Sequence, residues 1–326
     1  MLRTLPFMTA PVAYLPLLAA AAPVFAAAGL GYVARRVQWL NADADQSLLR
    51  LAVNLLTPCL VLDSVLGNAT LRAGGTAAGA AALGFLAVCS CFILAFAAAR
   101  LARVPAGPSR ATFILATGMF NYGYLALPLT LALFGRETAG VLFVFNVGVE
   151  FALWTVGVAL LHGDLRRGWR AALSPPAIAV LAALALNFLG ARDWLPGPVL
   201  ATAHFVGAAA IPLGLLLSGA TIADVLEGGG FQPRLRVSLP ALLVRLGAAP
   251  ILFIGVALLL PRQPELQRVL VTQAAMPAAM LPIVLSRLYH GAPATALEVV
   301  LVTTLAAVVT LPFWLQVGLS LLGSAG

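Results

Sequence analysis

The strongest constraint on this chain is its succession of ten long apolar runs, each close to a bilayer in length and none with the strict alternation of a barrel strand. In hydrocarbon every backbone N–H and C=O must be satisfied within its own segment, so runs of about 20 apolar residues cross a membrane as helices. The runs fall near 13–33, 47–66, 76–100, 111–134, 138–161, 175–190, 197–222, 238–260, 269–289 and 295–320. Only 9% of the residues are charged while 62% are hydrophobic, against roughly 25% charged in ordinary soluble domains. The solvent for most of the chain is therefore lipid. The first run begins after Arg3 and continues past Gly31 with no small-residue cleavage site ahead of a soluble domain, so it reads as a first spanning helix and not as a signal peptide. The expected fold class is an all-α polytopic membrane protein.

The net charge of +8 arises from 19 arginines, with no lysine, against 11 acids. In a soluble chain that excess would suggest nucleic acid; in a membrane chain it reports orientation, because basic residues collect in short cytoplasmic loops. With the N-terminus outside, the inside loops hold Arg35, Arg36, Arg100, Arg103, Arg110, Arg166, Arg167, Arg170, Arg234, Arg236 and Arg287. The outside regions hold only Arg3, Arg72, Arg136, Arg192, Arg262 and Arg268. This asymmetry predicts two periplasmic termini in a bacterial inner membrane. Five spans then precede the basic connection 163–174 and five follow it, and an odd number in each half inverts one half relative to the other. The expected organisation is a first five-helix repeat over 1–162, a cytoplasmic linker over 163–174 and a second, inverted repeat over 175–326.

Weak internal similarity agrees with a duplication. The second span carries Pro58 followed by aliphatics and then Asp63-Ser-Val-Leu-Gly67, and the seventh carries Pro212 followed by Leu-Gly-Leu-Leu-Leu-Ser218-Gly219. The fourth and ninth spans start after Arg110 and Arg268, and both are interrupted: Gly118-Met-Phe-Asn121-Tyr122-Gly123-Tyr-Leu-Ala-Leu-Pro128 corresponds to Gln273-Ala-Ala-Met-Pro277-Ala-Ala-Met-Leu-Pro282. Interruptions by Gly or Pro at matching places in two repeats are the best sequence pointer to discontinuous helices at a binding site.

These pieces, together with Phe134-Gly135, Ser174-Pro-Pro-Ala-Ile178, Ile211-Pro212 and Thr310-Leu-Pro312-Phe-Trp314, occur in order along the whole chain. The set resembles the auxin efflux carrier family, which includes plant PIN proteins and compact bacterial permeases labelled malonate or dicarboxylate transporters. The resemblance implies ten transmembrane helices as two inverted five-helix repeats, broken and crossed helices four and nine, a scaffold domain and elevator-like alternating access. It departs from many plant members in one respect. Their long cytosolic loop is replaced here by about a dozen residues, which points away from auxin and from plant-style regulation.

Breaking a helix at membrane depth frees backbone groups that protein, water or substrate must satisfy, and the start of a half-helix presents a positive dipole end suited to carboxylate. The expected substrate site is therefore Asn121, Tyr122, Gly123 and Pro128 in span four with Gln273, Pro277 and Pro282 in span nine. The alternative for each proline is an ordinary kink in a packed helix. Glu150 stands near the middle of span five, where an acid is costly and faces a cavity or a partner. It is a proton-coupling candidate, the alternative being a paired structural acid. Asn146, four residues earlier, shares its helical face and joins the substrate-binding candidates.

Other polar residues carry blander expectations. Asn54 is assigned to helix–helix hydrogen bonding, and Arg245, well inside span eight, to snorkelling toward lipid phosphates in preference to attracting an anion. Asp63 and Glu298 are expected at solvated span ends and His204 as a packed or interfacial residue. Cys59, Cys89 and Cys91 lie in apolar runs without metal-ligand spacing and read as core residues.

There is no phosphate-binding Gly-rich loop, nucleophile elbow or zinc-protease motif. The function that fits is secondary transport of a small organic anion such as a mono- or dicarboxylate. The alternatives are a sodium-coupled carrier like the bile-acid symporters and, less favoured, a membrane-embedded enzyme. Expected partners are the anion, protons or sodium, membrane lipid and a second copy of the chain, with no nucleic acid, cofactor or metal.

Overall fold

The computed structural model describes residues 14–72, 75–162, 174–227, 233–260 and 263–324. The basic linker, apart from Ser174, lies outside the described residues, as do Arg3 and Arg262. Eleven helices carry the fold: α1 (Tyr14–Arg36), α2 (Asp43–Val65), α3 (Thr76–Leu101), α4 (Pro108–Gly118), α5 (Ala126–Leu161), α6 (Pro175–Phe188), α7 (Gly197–Asp224), α8 (Leu235–Leu258), α9 (Pro264–Ala274), α10 (Leu281–Leu288) and α11 (Pro293–Gly323). Among the described residues seven are long and apolar enough to cross a membrane, namely α1, α2, α3, α5, α7, α8 and α11. The protein is therefore a multi-pass membrane protein. Large apolar side chains such as Leu15, Ile93, Phe205 and Leu259 point outward, as they can when the surrounding solvent is lipid.

Local sequence explains where helices start and stop. Asn41 accepts from the Ala44 amide at 3.0 Å and caps the start of α2, with Asp43 and Asp45 in the first turn facing the positive end of the dipole. Ser174 caps α6 through the Ala177 amide at 3.2 Å, followed by two prolines whose missing N–H groups cost nothing in a first turn. Long α5 is turned at Gly135, whose φ of 81° and ψ of −169° are open to glycine, so the chain changes direction where the sequence separates spans four and five.

Interior prolines reshape three other helices. A proline cannot donate to the carbonyl four residues back and clashes with it. In α2 and α8 the helix widens to a π-turn just before the proline, at Ala52–Leu56 ahead of Pro58 and at Val244–Ala248 ahead of Pro250. The Leu246 carbonyl, released by Pro250, instead accepts from the Trp314 indole at 2.7 Å. In α7 the helix is irregular at Ala208–Ala209, upstream of Pro212, while the helical path runs on through it.

The helices pack in two groups. One consists of α1, α2, α6 and α7; the other of α3, α4, α5, α8, α9, α10 and α11. Each has a seam of glycines. A Cβ on Gly219 would lie 1.8 Å from the Ala28 carbonyl oxygen and one on Gly31 2.1 Å from that of Leu216, which presses α1 against α7. In the second group Gly148 and Gly84 bring α5 and α3 equally close, with hypothetical Cβ atoms 1.8 Å from the Ala81 oxygen and 2.0 Å from the Phe145 oxygen. Close backbone approach of this kind supplies the dispersion contact that replaces the hydrophobic effect in lipid. The groups meet where α2 lies on α5 and α1 on α11.

Candidate functional site

Two interruptions, 119–125 between α4 and α5 and 275–280 between α9 and α10, meet inside the second group. Both segments are extended where they touch, and they pair antiparallel through Phe120 and Ala278. The Asn121 amide donates to the Pro277 carbonyl at 2.8 Å, and the Ala279 amide donates to the Met119 carbonyl at 2.9 Å. The Ala278 amide donates to Thr303 Oγ1 of α11 at 3.2 Å. Two of the backbone N–H groups at the breaks, those of Asn121 and Ala279, are thus satisfied by carbonyls of the opposite break.

Side chains from two helices and from the first break converge on the same place. Asn146 of α5 donates through Nδ2 to the Tyr122 carbonyl at 2.9 Å. Gln273, at the end of α9, reaches that carbonyl and Asn146 Oδ1 from Nε2, each at 3.4 Å. Its own Oε1 is buried without a hydrogen-bond partner. An acceptor left unpaired in the interior costs about 1 to 3 kcal/mol, so Gln273 Oε1 is an unfilled position for a donor. Asn121 accepts from the Leu125 amide through Oδ1 at 3.2 Å, closing the turn that leads into α5, and its amino group has no protein partner among the described residues. Asn121, Tyr122 and Gly123 are half-buried. A Cβ at Gly123 would meet no atom within 4 Å, while the neighbouring Tyr124 ring rests against Gly214 of α7. The first break therefore borders open space at the boundary between the two helix groups.

The fold brings Asn121, Tyr122, Gly123, Asn146, Gln273 and Pro277 together. Pro128 and Pro282 instead occupy the first turns of α5 and α10, where they shape helix starts. Glu150 is not part of the crossing. Its carboxylate accepts a short hydrogen bond from Ser174 Oγ, which ties α5 to the N-terminal end of α6 in the other group.

Several residues differ from the sequence reading. Arg245 does not snorkel: it is fully buried, because the wide turn before Pro250 lies inside the second group. Its guanidinium carbon lies 5.2 Å from the Phe120 ring centroid and 5.5 Å from that of Phe253, and Nη1 faces Cys91 Sγ at 3.4 Å. The position of Pro250 five residues on was the available signal for an inward turn. Asp63 is not simply solvated; it binds Arg136 at 3.2 Å and His204 at 3.1 Å, joining α2, α5 and α7. Glu298 is buried, accepting from Ser238 Oγ at 2.7 Å and pairing with Arg234 Nε at 3.0 Å. Asn54 donates to the Arg50 carbonyl of its own helix at 2.8 Å, and among the described residues it makes no helix–helix bond.

A family model described as membrane transport protein matches the chain over residues 16–168 and 164–315. The chain belongs to this family. Among curated proteins it is similar to one from Methanothermobacter thermautotrophicus named an uncharacterized transporter, with 25% identity over 304 residues covering 87% of this chain and 93% of that relative. The family is the auxin efflux carrier-like one that the motif order resembles, and the paired breaks lie within its two matched segments.

Proposed function

We propose that the protein is a secondary transporter of a small organic anion, which binds where the two interrupted helices cross and is exposed to either side in turn. The observation that carries this reading is the antiparallel pairing of Phe120 with Ala278, with the Asn121 side-chain amide at the first break and open space beside the neighbouring Gly123. Donors from Asn121 and the start of α5 suit a carboxylate.

The finer architecture belongs to the same reading. Counting α4 with the first part of α5 as span four, the rest of α5 as span five, and α9 with α10 as span nine gives ten spans in two inverted halves joined by 163–174. The two family matches divide the chain at that linker. Among the described residues the ion pairs between helices join positions assigned to the same side by the arginine asymmetry: Arg35 with Asp45 and Asp224, Arg36 with Glu227 and Arg234 with Glu298 inside, Asp63 with Arg136 and His204 outside. Movement of the crossing group past the α1, α2, α6 and α7 group would supply alternating access. Glu150, which reaches across that boundary to Ser174, is the proton-coupling group: protonation would change the bond between the two bodies.

Gly123→Cys tests the placement of the site, since the added side chain has room. In a background with Cys59, Cys89 and Cys91 replaced by alanine, the new thiol should react with a water-soluble maleimide, and pyruvate or succinate should slow that reaction. A thiol that never reacts, or whose reaction no carboxylate slows, places the site elsewhere.

A further inference from the structure

Arg245 combines features that a purely structural arginine lacks. It is fully buried in α8, yet among the described residues no carboxylate lies within ion-pair distance of it. The other buried arginine, Arg35, is held by Asp45 and Asp224. Two aromatic faces and a thiol partly replace the lost hydration of Arg245. They leave Nε and Nη2 both buried and both without a hydrogen-bond partner among the described residues. Those two nitrogens form one edge of the planar guanidinium, the edge whose parallel N–H groups match the two oxygens of a carboxylate. A buried charge with no counter-ion is a heavy cost, and here it is borne beside Phe120, the residue that forms the crossing.

We propose that the Nε–Nη2 edge of Arg245 is the receptor for the substrate's carboxylate, and that the substrate is a monocarboxylate with an apolar body. One unpaired guanidinium balances one carboxylate, whereas a second carboxylate or a phosphate dianion would enter this interior uncompensated. Phe120 and Phe253 offer apolar wall beside the charge. The inference rests on the crossing being the substrate site, and it makes Arg245 a specificity-determining residue of that site.

The test is equilibrium binding of radiolabelled phenylacetate to the purified full-length protein, with its neutral amide phenylacetamide and the dicarboxylate succinate as competitors. Wild type should bind phenylacetate, succinate should compete less well than unlabelled phenylacetate, and phenylacetamide should not compete. Arg245→Met removes the charge and Arg245→Lys keeps it but removes the fork, so each should weaken binding tenfold or more. The unliganded Tm of Arg245→Met should equal or exceed that of wild type, because an uncompensated charge has been removed. Wild type that does not bind phenylacetate, or Arg245→Met binding it as wild type does, overturns the proposal. So does a fall of unliganded Tm in both variants together with lost binding, which marks a structural cation. Asn121→Ala separates the two readings: affinity reduced by Asn121→Ala but not by Arg245→Met leaves the crossing as the site and removes Arg245, and affinity moved by neither removes both.

Discussion

Asn121 does two jobs in one side chain, and they can be separated by substitution. Oδ1 accepts from the Leu125 amide at 3.2 Å and closes the turn into α5, while the amino group, without a protein partner among the described residues, is the proposed donor to the anion. Asn121→Ala removes both functions. Loss of a cap-like acceptor costs about 0.5 to 2 kcal/mol of stability. Loss of a hydrogen bond to a charged ligand costs about 1.5 to 3 kcal/mol, or roughly ten- to a hundred-fold in affinity. Asn121→Asp keeps the acceptor for Leu125 and replaces the donor with a negative charge. At about 4 Å from a carboxylate ligand and an effective dielectric near 20, that repulsion is about 4 kcal/mol. The two measurements should therefore rank differently. Affinity for a bound carboxylate, from equilibrium binding, should fall in the order wild type, Asn121→Ala, Asn121→Asp. Thermal stability should leave Asn121→Asp near wild type, because a carboxylate suits the start of a helix, and place Asn121→Ala below both. Equal affinity in wild type and folded Asn121→Ala, or tighter binding by Asn121→Asp than by Asn121→Ala, would refute the assignment of the amino group to the anion.

Three further outcomes follow from particular residues. Glu150→Gln, which can still accept from Ser174, should retain substrate exchange in proteoliposomes while losing accumulation driven by a pH gradient; unchanged gradient-driven uptake would leave Glu150 as a structural tie. Reporter fusions at Gly326 and within 163–174 should give opposite signals, periplasmic and cytoplasmic respectively, and a cytoplasmic Gly326 would end the inverted five-plus-five design. Gly148→Ala should lower Tm by an amount corresponding to about 1 to 3 kcal/mol despite alanine's better helix propensity, since its Cβ would fall 1.8 Å from a backbone oxygen. Gly255→Ala on α8, whose Cβ would meet nothing within 4 Å, is the matched control and should leave Tm unchanged or slightly raised.

The all-helical, multi-span character was legible because hydrocarbon length and helix period leave little freedom, and the interruptions at 119–125 and 275–280 were legible because Gly and Pro cluster there in a run that is otherwise helical. Asn121 and Gln273 were singled out because they stand at those interruptions, and Asn146 because it shares a helical face with Glu150; the structure brings Asn146 and Gln273 together at the Tyr122 carbonyl, next to Asn121. Which partners such residues meet was not legible. Asn146 meets Gln273 across 127 residues of sequence, and His204 meets Asp63 across 141, and no periodicity encodes such distances. Arg245 shows a different gap. Its depth within the span was readable, but its direction was set by a π-turn that Pro250 imposes on the helix ahead of it. A regular 3.6-residue helix would have aimed the same residue elsewhere. Pro212 acted likewise in α7, where the helix is irregular at Ala208–Ala209 and the sequence shows only a proline in an apolar run.

The central claim is carrier-mediated movement of a small organic anion, and counterflow tests it most directly. Purified protein in liposomes preloaded with unlabelled pyruvate or succinate should draw in the same radiolabelled anion transiently above its external concentration, with the overshoot reduced by Asn121→Asp. Protein-free liposomes should show none. Proteoliposomes holding folded wild type that show no overshoot with any carboxylate in a panel of mono- and dicarboxylates, at any imposed proton or sodium gradient, would contradict the account.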